Sequence, residues 1–205
     1  VFLNHRGKDV KNTLASNLYY RLRHLGLRVF FDKEEMQKGS RIDFVIENVI
    51  KATPLHIAIF SAGYAESEWC MDELLLMIES GSIIIAVYYN LNPAEMWSNP
   101  VDGTNGVYAE ALRLLEEEKA FDPQNHQERP RYKSSTIEKW KTALMEVTGR
   151  EGFKLDTYDG NEGKLLDMIV QEVVKYKSIG RRGKKIVKNN VRRTSKQSSC
   201  LTQIN

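Results

Sequence analysis

An α/β fold, built on a parallel sheet covered on both faces, is predicted by three observations. Short apolar runs alternate along the chain with longer segments of helical periodicity. Residues 55–60 and 83–88 are apolar almost without interruption, as strands buried on both faces are. Helical segments separate successive runs, and such crossovers make the strands parallel and right-handed.

The elements follow in order. Residues 1–4 are a strand that the chain enters without an initiator Met or a basic leader, so the sequence starts inside a strand. Arg6-Gly7 reads as a turn in which Gly7 is free to take positive φ. Asp9 or Asn12 is placed to cap a helix whose face holds Leu14, Leu18, Leu22 and Leu25, and Gly26 ends it. Residues 27–31 read as the second strand. Residues 32–41 are a polar loop. The helix that follows runs through Lys51 with Phe44, Val45, Val49 and Ile50 on its apolar face. Residues 55–60 are the third strand and 83–88 the fourth, with a helix between them. Residues 108–120 read as a charged helix, 121–132 as a surface loop with two prolines, and 136–147 as a helix with the stripe Ile137, Trp140, Leu144 and Val147. Gly149 stops that helix. Residues 153–155 give a short fifth strand, and 160–177 a last helix with Leu165, Ile169 and Val173 aligned. The whole is a flavodoxin-like arrangement of five parallel strands with helices on both faces.

At 205 residues, 41% apolar and 28% charged, the chain suits one soluble domain with an appendage. No run of eighteen apolar residues offers a spanning helix. The net charge of +3 hides an asymmetry. From Lys175 onward there are ten Lys or Arg and no acid; the preceding residues carry 20 Lys and Arg against 27 Asp and Glu, a net −7. The expected division is a domain over residues 1–177 and a basic, disordered tail over 178–205. The two cysteines, Cys70 and Cys200, make no disulfide framework and fit a reducing, cytoplasmic compartment. His5, His24, His56 and His126 lack metal-ligand spacing, so no metal is assigned.

The chain is organised around residues 61–80. Cys70, Leu74, Met77 and Ile78 recur at three-and-four spacing just beyond the carboxyl end of the third strand, where open α/β sheets bind ligands. Trp69 and Glu73 are four apart and share a face of that helix. A flat aromatic beside a carboxylate suits a base and a nearby positive charge. Spacing alone favours the plainer reading, a helix with one packed Trp and one solvated Glu. Asp72 points about 100° away from Glu73 and reads as structural or solvated. Cys70 reads as a small buried apolar residue.

Four segments together resemble a plant TIR domain, the Toll/interleukin-1 receptor/resistance-protein module. They are residues 1–9, VFLNHRGKD; residues 26–32, GLRVFFD, continuing to Lys38-Gly39; residues 57–74, with Phe60-Ser61, Tyr64-Ala65, Ser67, Trp69-Cys70 and Glu73-Leu74; and Lys139-Trp140 with Ala143-Leu144 and Val147. The third is the most specific, because strand, turn and a Trp-Cys-x-x-Glu-Leu register coincide. The chain departs from the common plant pattern at Asn4-His5, where Ser-Phe is usual, and in the loop Glu35-Met36-Gln37-Lys38-Gly39. It is most similar to TIR-only members, since no nucleotide-binding ATPase or leucine-rich segment follows.

The resemblance implies an enzyme that cleaves NAD+ between nicotinamide and ribose and serves plant innate immunity and cell death, with NAD as substrate and no cofactor. By register Glu73 is the catalytic residue and Trp69 lines the nucleotide site. Arg6 meets the pyrophosphate or ribose side of NAD, or else makes a surface salt bridge. Gly7, with Gly39, supplies backbone freedom there. Phe31 and Asp32 stand at the carboxyl end of the second strand in reach of ligand, with plain core packing as the alternative for Phe31. Members act on self-association, because the loop after the second strand, here residues 32–41, completes the site of another copy. Other TIR proteins are further partners. The alternative function is a non-catalytic TIR–TIR adaptor. A phosphorelay receiver on the same fold is a poor third reading, since Phe60-Ser61 stand where a phospho-accepting Asp would be needed. The tail suits an anionic membrane surface, with Cys200 as an acylation site, or a nucleic acid and nuclear entry, or plain solvation.

Overall fold

A computed structural model describes residues 1–31, 42–98, 103–124 and 126–178, with the side chains of 42–44 excepted. The chain divides into two units, Val1–Leu166 and Asp167–Asn205. In the first, β1 (Phe2–His5) leads into α1 (Gly7–Val10), a wide turn at Lys11–Ala15, and α2 (Ser16–His24). Then come α3 (Ile42–Ala52), β2 (Leu55–Phe60), α4 (Glu68–Glu79), β3 (Ile83–Tyr88) and α5 (Val107–Glu117). A hairpin of β4 (Lys119–Asp122) and β5 (Gln127–Pro130) precedes α6 (Ser134–Thr148) and β6 (Phe153–Lys154). A last helix, residues 162–178, carries the boundary between the units; Ile169 and Val173, in the second unit, are buried.

Four strands form a wholly parallel sheet in the order β1-β2-β3-β6. The expected second strand contributes one parallel bridge, Phe30 to Phe2, on the outer side of β1. There Phe30 accepts from the Leu3 N–H at 2.8 Å and donates to Val1 at 2.9 Å. All six residues of β2 are buried, which fits its central place and its unbroken apolar sequence. The pleat assigns its faces. Ala58 and Phe60 join Phe2, Ala86 and Tyr88 in one core with Ile46, Ile50, Met71, Leu74, Met77, Tyr108, Trp140 and Leu144 from α3–α6. Ile57 and Ile59, of the opposite parity, are also fully buried, so both faces are covered. Asn4 shares the parity of Phe2 and therefore points toward the α4 side.

Several expectations are corrected. Gly7 sits at the start of α1 in helical conformation and does not take positive φ. Neither Asp9 nor Asn12 caps the first helix, whose start has no side-chain cap; Asp9 instead pairs with Arg6. The helix is broken at Thr13, where φ −125° and ψ −110° interrupt it, so α1 and α2 are separate. Residues 121–132 hold most of an antiparallel hairpin. Its strands were hidden because all but Asp122 are at least partly exposed, leaving no buried face to mark them. Asp122 accepts from the Gln124 N–H at 2.9 Å and shapes the turn. Asp32, the loop of residues 32–41, and the tail with Cys200 lie outside the described residues.

Candidate active site

The helix that carries the site begins where its sequence says it should. After the carboxyl end of β2 a single turn, Tyr64–Glu66, leads to Ser67, whose side chain accepts from the Cys70 N–H and caps α4. Cys70, Met71, Leu74 and Met77 are then committed to the core. Trp69 and Glu73, displaced around the helix from that stripe, stand at its border. Trp69 is 49% exposed, unusual for so large an aromatic, and Glu73 is half-buried.

Two clefts meet at Trp69. One, of about 500 Å³, is lined by Ile46 and Glu47 of α3 and by Glu68, Trp69, Asp72, Glu73 and Glu79 of α4. The other, of about 400 Å³, brings Arg6, Gly7 and Lys8 to Trp69, with Arg131 and Tyr132 opposite. Both volumes lie in the range of small-molecule sites. Trp69 thus borders both clefts, with Glu73 lining one and Arg6 and Gly7 the other. Phe31 lines neither of these two clefts. It is half-buried and stacks on His5, ring centroids 5.1 Å apart and planes nearly parallel, with Tyr19 against it at the same distance.

Arg6 is held on both sides. Its Nη1 pairs with Asp9 at 3.1 Å and its Nη2 with Glu66 at 2.6 Å. Asp9 in turn accepts from the Ser61 hydroxyl at 2.5 Å, and the Ser61 carbonyl accepts from Tyr108 at 2.9 Å. Gly63 makes this possible. A Cβ there would lie 1.8 Å from Arg6 Nη1. Sequence reading passed over Gly63, since no turn signal distinguishes a glycine that makes room for a neighbour.

Glu73 is also held. The amide of Asn4, fully buried in β1, donates to Glu73 Oε2 at 2.9 Å and approaches the Cys70 carbonyl at 3.3 Å. The Tyr64 hydroxyl donates to Asn4 Oδ1. Burial, followed by the nearby Cys70, Tyr108 and Glu73, raises Tyr64 well above its ordinary pKa, so it stays protonated and able to donate. A buried amide in a strand was a signal in the sequence, because Asn is depleted in strands; its partner was not legible. Asp72, which lines the same cleft, accepts from Trp140 Nε1 at 2.9 Å and ties α4 to α6. Cys70 is buried. Among the described residues no cluster of His, Cys, Asp or Glu is arranged to hold a metal ion, and no helix is long and apolar enough to cross a membrane.

The TIR domain family matches residues 1–204. A probable 2′ cyclic ADP-D-ribose synthase of Brachypodium distachyon is 31% identical over 186 residues, covering 89% of this chain and 72% of the relative. A TIR domain-containing protein of Arabidopsis thaliana is 34% identical over 190 residues, covering 87% and 69%. The TMV resistance protein N of Nicotiana glutinosa is 27% identical over 177 residues, and there the chain spans only 14% of the relative's length. Among solved structures, the TIR domains of the activated Roq1 resistosome, which directly recognises the pathogen effector XopQ, superpose with a TM-score of 0.69 at 26% identity. That match covers 84% of this chain and 97% of theirs.

Proposed function

Because the chain belongs to the TIR domain family, we propose that it is an NAD+ glycohydrolase, with cyclase activity, that makes nucleotide signals in plant innate immunity and cell death. The observation that carries the reading is the Glu73 carboxylate, half-buried, gripped by Asn4 and lining a cleft walled by an exposed Trp69. Chemistry supports the pairing. The scissile bond of NAD+ joins C1′ of a ribose to an already cationic nicotinamide. When it breaks, the bonding electrons return to the ring nitrogen, and the ring leaves neutral without needing a proton. The sugar becomes oxocarbenium-like, as in glycoside hydrolysis. A fixed carboxylate beside it stabilises that charge and hydrogen-bonds the ribose hydroxyls. Water then adds to C1′ and loses a proton, giving ADP-ribose; a hydroxyl of the same molecule adding instead gives a cyclic product. The relative's name specifies such a cyclic ADP-ribose.

In this reading Glu73 stabilises the cation and Trp69 stacks on the nucleotide. Three other carboxylates of the cleft, Glu47, Glu68 and Glu79, draw the cationic ring inward. Arg6 and Gly7, across Trp69, take the pyrophosphate side, where the guanidinium exchanges Glu66 for phosphate oxygens. Phe31, through its stack on His5, shapes the strand ends beside Arg6, and Asp32 follows it in sequence. NAD is substrate, and no cofactor is needed. Self-association raises activity, as the assembled TIR domains of the related resistosome suggest, and other TIR proteins join such assemblies. The chain acts in the cytoplasm, and its basic tail adds contact with an anionic membrane surface or nucleic acid.

The test is nicotinamide release from NAD+ by the purified chain beside Glu73→Ala, each at low and high protein concentration. Release that rises more than linearly with concentration and is abolished in Glu73→Ala, with self-association retained, is expected. No release from the parent chain at high concentration would overturn the enzyme and leave a TIR–TIR docking module.

A further inference from the structure

Asn4 is an expensive residue for its place. It is fully buried in a strand of the central sheet, between Leu3 and His5. An apolar residue would pack there at no cost, whereas a buried amide must be fully hydrogen-bonded. Its bonds all run toward the α4 side. Oδ1 accepts from the Tyr64 hydroxyl, and the two Nδ2 hydrogens face the Cys70 carbonyl at 3.3 Å and Glu73 Oε2 at 2.9 Å. The reversed amide would set its oxygen against a carboxylate and a carbonyl, so the orientation is determined. Tyr64 itself sits in the turn between β2 and α4, fully buried among Phe60 and Tyr108. The result is a rigid relay, Tyr64 to Asn4 to Glu73, joining three elements.

We propose that Asn4 is a positioning residue for Glu73: its amide, locked by Tyr64, keeps the carboxylate ionised and turned into the Trp69 cleft. The proposal rests on the NAD-cleaving reading for its functional meaning, though the relay itself is independent of it. Among the described residues, the other carboxylates that line the cleft push the opposite way. Tyr64 from the turn is neutral; Glu68, Asp72 and Glu79 of α4 and Glu47 of α3 share the cleft and repel the charge. Lys51, the cation on α3, is spent on Glu47 at 2.5 Å. From β1, beyond Asn4, the His5 ring is stacked on Phe31. A donor at Asn4 therefore favours the ionised form beside these carboxylates.

Two variants separate positioning from mere packing. Asn4→Asp is nearly isosteric but turns the donor into a second carboxylate, so the pair shares a proton. Asn4→Ser keeps a hydroxyl one bond short of Glu73. In nicotinamide release, Asn4→Asp is expected to lower kcat by about tenfold or more at neutral pH, with KM changed far less. The acid limb of its rate profile should move up by about one pH unit or more; Asn4→Ser should move it less. A structural role alone would lower the thermal midpoint without moving that limb. Carbon-13 titration of the Glu73 carboxyl, in the parent and in Asn4→Ser, reads the same effect without turnover. A parent that releases nicotinamide and an Asn4→Asp variant, folded, with an unmoved acid limb would overturn the proposal and leave the function standing. A parent that releases none would overturn the function, and the carboxyl titration would then decide Asn4: an upward shift in Asn4→Ser supports the relay and no shift refutes it.

Discussion

Gly63→Ala isolates the grip on Arg6. At φ −89° and ψ 1° the backbone of Gly63 accepts alanine without strain, so the effect is steric. The added methyl would lie 1.8 Å from Arg6 Nη1 and 2.8 Å from Cζ, and the guanidinium must leave. Leaving breaks the Arg6–Asp9 pair, whose side chains are 20% and 22% exposed, worth about 1.5 kcal/mol as a charge-assisted bond. It also breaks the pair with Glu66, which is 55% exposed and is discounted to about 0.5 kcal/mol. Against this loss, alanine restricts the unfolded chain and returns about 0.4–1 kcal/mol. The net expectation is a destabilisation of about 1–1.5 kcal/mol. In an Arg6→Ala background the obstacle is gone, and the same substitution should stabilise by about 0.4–1 kcal/mol. Its remaining close contact, Asp9 Oδ2 at 3.0 Å, needs only a small shift. Urea unfolding of the four proteins gives the cycle directly. Equal destabilisation in both backgrounds would refute the steric account.

Asp72→Ala should strand the buried indole N–H of Trp140 and cost about 1–3 kcal/mol of stability, while nicotinamide release below the melting temperature stays near the parent value. A loss of release as complete as in Glu73→Ala would show that the wrong carboxylate has been assigned. His56 is fully buried in β2, and burial depresses its pKa from 6.5 to about 4. The folded chain keeps it neutral where the unfolded chain binds a proton. Its contribution is therefore unimpaired above pH 6.5 and is lost as pH falls toward 4, by up to about 3 kcal/mol. Unfolding at pH 7.5 and 4.5 should show this drop, reduced by about 2 kcal/mol in His56→Leu; an equal drop in both proteins would exclude His56 as its source. Gly152→Ala should cost about 1–3 kcal/mol in thermal unfolding, because a Cβ there would meet Tyr88 Cε2 at 2.6 Å and the Ala86 carbonyl at 2.7 Å. An unchanged midpoint would mean that β3 and the segment before β6 can separate freely.

What was legible in the chain and what was not divide along the range of the interactions. Continuous apolar runs announce strands buried on both faces, and β2 and β3 are where residues 55–60 and 83–88 placed them. The stripe Cys70, Leu74 and Met77 announced α4 and its buried side, and with it the border where Trp69 and Glu73 stand. Both signals are local and periodic. The hairpin of β4 and β5 escaped because exposed strands bury no face and leave no period. Arg6 could be read as an anion contact or as a salt bridge, and the choice depended on Glu66, sixty residues away. Asn4 passed as part of a strand, since the carboxylate that gives it meaning is 69 positions distant. The amino-acid sequence by itself determined the layers, the family and the helix that bears the carboxylate, because those follow from spacing along one segment. Only the tertiary structure decided which donor holds Glu73 and which carboxylates hold Arg6, because contacts between residues sixty or more positions apart exist only once the sheet has brought them together.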